Sequence, residues 1–180
     1  MSLVPASSAF DSYTNEWRRE RKPNLAKQLC DAGNFLRSMR IRMQFGELSR
    51  APLKLLRLHI VGEVVKCDWL ARVPDAWDAD LAPEFGERHA SLQALRDAID
   101  VRELLFAALP FVETADFRVY RESADHAREM IITGCTQRND NASRSVHSLA
   151  MRAKILGFRF QLEDEVLRKI SNEDASESSE

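Results

Sequence analysis

Apolar residues recur at helical and strand spacings along the chain and predict an alternation of helices and hairpins. The first pattern begins at Asn24 or Pro23 and repeats every three or four residues up to Gly46, which predicts an amphipathic helix. A shorter helix is predicted before it, over residues 12–21, because Pro23 would end it. The apolar stripe of the longer helix consists of Leu25, Leu29, Ala32, Leu36, Met39 and Met43.

The clearest local pattern is a β-hairpin around the dipeptide Gly62-Glu63. Gly62 suits the first loop position of a type II′ turn, which requires a positive φ. With this turn, one face of the hairpin is entirely apolar, and we expect Leu58 and Cys67 to be paired and buried there. The predicted strands are Leu55–Val61 and Val64–Ala71, and the predicted pairs include Arg57 with Asp68 and Leu56 with Trp69.

The remaining two thirds of the chain contain further helical and alternating patterns of the same kinds. In chain order we predict first a loop over 72–88 and a helical run over 91–109, either one helix or two short helices that meet near Asp100. A hairpin of strands 117–121 and 128–137 follows, and then a helix over Ala142–Leu156, a strand over 158–162 and a short helix over Val166–Ile170.

Two hairpins, a C-terminal strand and a few helices predict an α+β fold. We expect one antiparallel or mixed sheet of about five strands, packed against helices on one face. The strand 128–137, the following helix and the strand at Phe158 would fit a right-handed parallel crossover. We divide the chain into an N-terminal arm over 1–23 that includes the short helix, a single α+β domain over 24–170, and a disordered acidic tail over 171–180.

Composition narrows the class of protein without identifying it. The chain has 180 residues, of which 44% are hydrophobic and 30% charged, as in ordinary globular domains. Its apolar runs fall well short of the roughly 20 residues that a membrane helix needs. The three cysteines, Cys30, Cys67 and Cys135, are odd in number and far apart, which favours a reducing compartment. We therefore expect a cytoplasmic protein that does not enter the membrane.

The charges are unevenly distributed, although the net charge is only −2. Residues 1–54 carry a balance of +5, residues 55–115 a balance of −5 and residues 116–180 a balance of −2. This pattern favours contact between the basic third and the acidic middle of the same chain or of a second copy. An acidic protein partner and a nucleic acid bound by the basic third are the alternatives, and nucleic acid is the less favoured.

The sequence contains none of the common catalytic or metal-binding motifs. G-x-S-x-G, C-x-x-C, H-E-x-x-H and the phosphate-binding glycine loops are all absent, so we expect neither a metal nor a cofactor. One weaker candidate is an anion site at the start of the helix predicted from Ala142, where free backbone N–H groups would meet basic side chains. Its residues are Arg138, Asn141, Ser143 and Arg144.

Met151 and Ile155 lie on the side of the same predicted helix that faces away from the sheet. Two explanations stay open: the end of the first long helix, at Met39 and Met43, covers the pair, or the pair belongs to a subunit interface. The first is slightly favoured, because burial within the chain is the commoner fate of apolar residues.

Three functions are compatible with these patterns. The leading hypothesis is a non-catalytic protein-interaction or regulatory module that forms homo-oligomers. The alternatives are a protein or enzyme that binds a small anionic ligand between sheet and helices, and a nucleic-acid-binding protein that uses the basic N-terminal third. A deep pocket with converging polar groups would favour the second of these.

Overall fold

The computed structural model describes residues 24–75, 80, 82–123, 125–138 and 146–170. Within these ranges, three helices and seven strands alternate along the chain. They are α1 (Leu25–Arg42), β1 (Lys54–Val61), β2 (Val64–Leu70), α2 (Pro83–Ala108), β3 (Thr114–Glu122), β4 (Arg128–Gln137), α3 (Leu149–Ile155), β5 (Phe158–Arg159), β6 (Gln161–Glu163) and β7 (Val166–Arg168).

β1 and β2 form the predicted hairpin around Gly62, whose φ is +59°. The register from Val61 back to Arg57 is as predicted, with Leu58 opposite Cys67. The pairing of Leu56 with Trp69 is wrong, because a bulge at Leu56 places Leu55 opposite Trp69 instead. Cys67 is fully buried. Leu58 is only half-buried, because β1 is an edge strand and has a neighbouring strand on one side only.

Five strands form one mixed sheet in the order β1-β2-β3-β4-β5, so the predicted α+β fold is confirmed. The second hairpin, β3 with β4, is also confirmed. The predicted parallel crossover into Phe158 is wrong, because β5 runs antiparallel to β4. The parallel pair is instead β2 with β3, and α2 is the crossover that connects them. A crossover of this kind needs a long connection, which the 26 residues of α2 supply.

α2 is one continuous helix and begins eight residues earlier than predicted, at Pro83. Proline is favoured in the first turn of a helix, where its missing N–H has no helical partner in any case. No break occurs near Asp100. α2 contacts β3 and β7 as well as α1 and α3, so apolar residues on several sides of it are buried, including Val101 and Leu104.

The C-terminal region departs furthest from the predictions. The helix predicted over Ala142–Leu156 begins at Leu149, where the side chain of Ser148 caps it. The helix predicted over Val166–Ile170 is strand β7, which pairs with β6. The turn between these strands places Asp164 and Glu165 at positive φ, a conformation suited to a tight hairpin.

The hydrophobic core lies between the sheet and the three helices. Trp69, Phe117 and Phe158 from three different strands pack together there, with ring centroids 5.6 Å apart in each neighbouring pair. In the described part of the chain, no helix covers the other side of the sheet, which we call the open face. Its exposed residues include Arg57, His59, Lys66, Arg118 and Arg159.

The predicted arm (1–23) and tail (171–180) lie outside the described residues, so the division into arm, domain and tail stays a prediction. Among the described helices, none is long and apolar enough to cross a membrane.

Candidate functional site

The apolar stripe of α1 is divided between the core and the surface. Phe35 and Met39 are buried in the core, together with Met43 just after the helix. Leu25, Leu29 and Leu36 lie on the neighbouring flank of the helix and remain 69%, 66% and 43% exposed. We call these three leucines the α1 leucine flank. The periodicity identified the leucines correctly, but it could not show that the core covers only one side of the stripe.

A groove of about 450 Å³ adjoins the C-terminal half of α1. Leu36, Met39 and Met43 line one wall, and Leu53 and Leu55 at the start of β1 line the other. Ile41, on another side of α1, also reaches the groove and is 67% exposed. α1 therefore leaves four large apolar side chains exposed, which is unusual for a helix in contact with water.

Arg138, one of the predicted anion ligands, contacts the end of α2 instead. Its guanidinium donates hydrogen bonds to the carbonyl oxygens of Phe106 (2.8 Å), Leu109 (2.6 Å) and Val112 (2.6 and 2.9 Å). The last carbonyls of a helix have no helical partner, so a cation placed there stabilises them. Asn141, Ser143 and Arg144 lie outside the described residues, and the anion site stays a prediction.

Met151 and Ile155 lie on the surface of α3 and are 52% and 39% exposed. The favoured explanation, that the end of α1 covers them, is wrong: Met39 and Met43 are buried in the core, and α1 packs against α2. On the opposite side of this helix Ala153 and Leu156 are buried, and the helix packs against α2 and β5. The subunit interface at Met151 and Ile155 stays a prediction.

A cleft of about 370 Å³ lies where the parallel strands β2 and β3 end. Ligands often bind at the carboxyl ends of parallel strands. Three arginines line this cleft, and each one already forms an ion pair. The pairs are Arg72 with Asp97 (2.8 Å), Arg121 with Glu129 (2.9 Å) and Arg168 with Glu163 (3.1 Å). Among its described lining residues, the cleft therefore offers a small anionic ligand no cation that is free of an ion pair.

The described cysteines are all free thiols, and two have perturbed acidity. Burial and the negative charge of Asp68 raise the pKa of Cys67. Burial and a hydrogen bond to Asp116 raise the pKa of Cys135. Both effects oppose formation of the reactive thiolate. Within the described ranges, no group of three or more metal-ligating side chains comes together.

Comparisons with known proteins find no match: no protein-family model, no curated protein and no solved structure is similar to this chain.

Proposed function

We propose that the protein is an interaction module that forms a homodimer through the α1 leucine flank. The observation that supports this proposal is the exposure of Leu25, Leu29 and Leu36 on one side of one helix. Removing a leucine side chain from water stabilises a complex by up to about 1.5–3 kcal/mol. Three such side chains per subunit provide a substantial part of the free energy that a dimer requires.

The order of residues along α1 supports a second copy as the partner. In an antiparallel pair of α1 helices with its two-fold axis between Ala32 and Gly33, Leu29 lies opposite Leu36 of the second copy. The two small residues at the axis allow the helices to approach closely, and Gly33 has no neighbouring atom within 4 Å of an added Cβ. The flank is therefore complementary to itself.

The charges on α1 are compatible with the same pairing. Arg40 falls opposite Leu25 of the second copy, and its aliphatic part can cover that leucine. Arg37 falls opposite Gln28, so no two cations of α1 meet across the axis. Like charges placed directly opposite would have opposed the dimer.

The test is the mass of the full chain in solution, measured by light scattering over a wide range of protein concentration. We expect the wild-type protein to be a dimer and Leu29→Glu/Leu36→Glu to be a monomer. The double substitution places glutamates opposite one another across the axis. The leucines are exposed in the single chain, so the variant should keep its fold, which circular dichroism would verify.

Ile41→Glu is the matched control, because Ile41 is as exposed as Leu29 but lies about 140° around the helix from Leu36. This variant should remain a dimer. A wild-type protein that is monomeric at every concentration would contradict the proposal. Dissociation by Ile41→Glu alone would also contradict it and would place the contact in the groove beside α1.

A further inference from the structure

The open face carries a row of three arginines, one each on β1, β3 and β5. Strand pairing places Arg57, Asp68, Arg118, Thr133 and Arg159 side by side, one from each strand from β1 to β5. Neighbouring strands lie about 4.8 Å apart, so the arginines recur about every 10 Å and the row is about 19 Å wide. The row therefore presents three positive charges at a regular spacing across the sheet, with the largely buried Asp68 between the first two.

Two carboxylates lie among these cations, Asp68 between Arg57 and Arg118 and Asp116 beside Lys66, so the cations outnumber them by four to two. Arg57, Lys66, Arg118 and Arg159 are all exposed. No acidic group in the described part of the chain forms an ion pair with any of the four. The chain as a whole is acidic, with a net charge of −2, so the positive charge of this face does not simply follow from composition. A surface of this kind attracts a polyanion.

The row continues into a groove of about 580 Å³ at the side of the sheet. Lys66, Arg118, Lys154 and Arg159 contribute to its walls, and Asp116 is the acidic residue among its lining side chains. Asp116 lies opposite Cys135 on the neighbouring strand β4. The balance of charge in the groove is therefore positive.

An aromatic ring lies next to these cations. Tyr120 is on the open face, half-buried, two residues beyond Arg118 on β3. Residues two apart on a strand are about 7 Å from each other on the same face. Leu70 and Met130 flank Tyr120 on the neighbouring strands. A nucleic-acid base can stack on a tyrosine in this setting, while the phosphates reach the arginines.

We propose that the open face binds single-stranded nucleic acid, with phosphates on Arg57, Lys66, Arg118 and Arg159 and a base on Tyr120. A single strand fits this surface because a five-stranded face about 19 Å wide cannot enter a major groove about 12 Å wide. An acidic polypeptide would use the cations but would gain nothing comparable from the ring. The site is distinct from the α1 leucine flank, and none of its residues belongs to the basic segment 1–54.

Binding can be measured by fluorescence anisotropy with the full chain and a labelled single-stranded oligouridylate. Four phosphate contacts predict that log K falls with log salt concentration with a slope near −2.8, at about −0.7 per contact. Arg118→Ala/Arg159→Ala should reduce the slope to about −1.4 and lower the affinity about tenfold or more. The double variant Lys27→Ala/Arg50→Ala is the control, because it removes the same number of positive charges from exposed positions away from the open face.

Tyr120→Leu should weaken binding about fivefold or more, whereas Tyr120→Phe keeps the ring and should bind normally. The proposal is overturned if the wild type does not bind at low salt, or if Arg118→Ala/Arg159→Ala binds as well as the control. Equal binding of poly-glutamate, unaffected by Tyr120→Leu, would also overturn it and would identify an acidic polypeptide as the partner.

Discussion

Arg72 and Asp97 form an ion pair that is shielded from water: Nε of Arg72 lies 2.8 Å from Oδ2 of Asp97, and the two side chains are 1% and 2% exposed. Arg72 follows β2 and Asp97 lies within α2, so the pair connects the end of the sheet to the central helix. Gln93 also donates a hydrogen bond to Asp97 and accepts one from the backbone N–H of Leu48. The loop between α1 and β1 is thereby attached to the same network.

Asp97→Ala should lower the free energy of unfolding by about 3–5 kcal/mol, because it leaves the Arg72 guanidinium buried without its counter-charge. Urea denaturation would measure this loss. The double variant Arg72→Met/Asp97→Leu removes both charges and should recover much of the stability. A double variant as unstable as the single one would contradict this explanation.

Arg138→Met should lower the free energy of unfolding by roughly 2–3 kcal/mol. The substitution removes a charged donor from the carbonyls of Phe106 and Leu109 at the end of α2 and from that of Val112 just beyond it. Arg118→Met is the control, since it removes an exposed arginine that has no ion-pair partner among the described residues. Equal stability of the two variants would show that Arg138 does not hold the end of the helix.

Gly134→Ala should destabilise the fold by about 1–3 kcal/mol. A Cβ at this position would lie 2.6 Å from the carbonyl oxygen of Gly157 and 2.9 Å from Cα of Phe158, and both are backbone atoms. The chain between α3 and β5 would have to move away from β4. Thr133→Ala, at the next position, should cost less than about 1 kcal/mol in the same denaturation experiment.

Asp100 should make the fold less stable as the pH rises towards neutrality. Although the residue is partly exposed, its pKa is raised above the ordinary value of 3.8, because partial burial and the negative charges of Asp97 and Glu103 outweigh the positive charges of Arg42 and Arg152. The folded state therefore binds this proton more tightly than the unfolded state, and the advantage is lost as the pH rises through the raised pKa.

Asp100→Asn should accordingly raise the melting temperature at pH 7, and the gain should disappear below the ordinary pKa of 3.8. Asp125→Asn, in the exposed loop between β3 and β4, should leave the melting temperature unchanged at both pH values. A gain for Asp100→Asn that is the same at low and neutral pH would show that charge is not its cause.

Met151→Glu/Ile155→Glu should leave the melting temperature close to that of the wild type, because both side chains are exposed. The mass in solution should also be unchanged if α1 alone forms the dimer. A folded variant of half the wild-type mass would instead place α3 in the subunit interface. A marked loss of stability would mean that another part of the chain covers the pair.

The hairpins could be predicted because the residues that determine them are neighbours in the sequence. Alternation sets the two faces of a strand, and Gly62 supplies the positive φ of the turn. The alternation pattern predicted the wrong partner for Trp69, because Leu55 and Leu56 are equally apolar and either could face the core. The partner strand decided between them, and the bulge is the result.

The start of α2 and the two proposed binding surfaces could not be predicted, because they depend on contacts between residues that are distant in the sequence. α2 has buried side chains on several sides, so its apolar positions lack the single stripe that marks a helix at the surface. Periodicity identified Leu25, Leu29 and Leu36, but only packing against α2 determined that they stay exposed. Arg57, Arg118 and Arg159 are separated by dozens of residues, and only strand pairing aligns them. The sequence by itself therefore determined the local elements, while the tertiary structure decided which surfaces they leave to water.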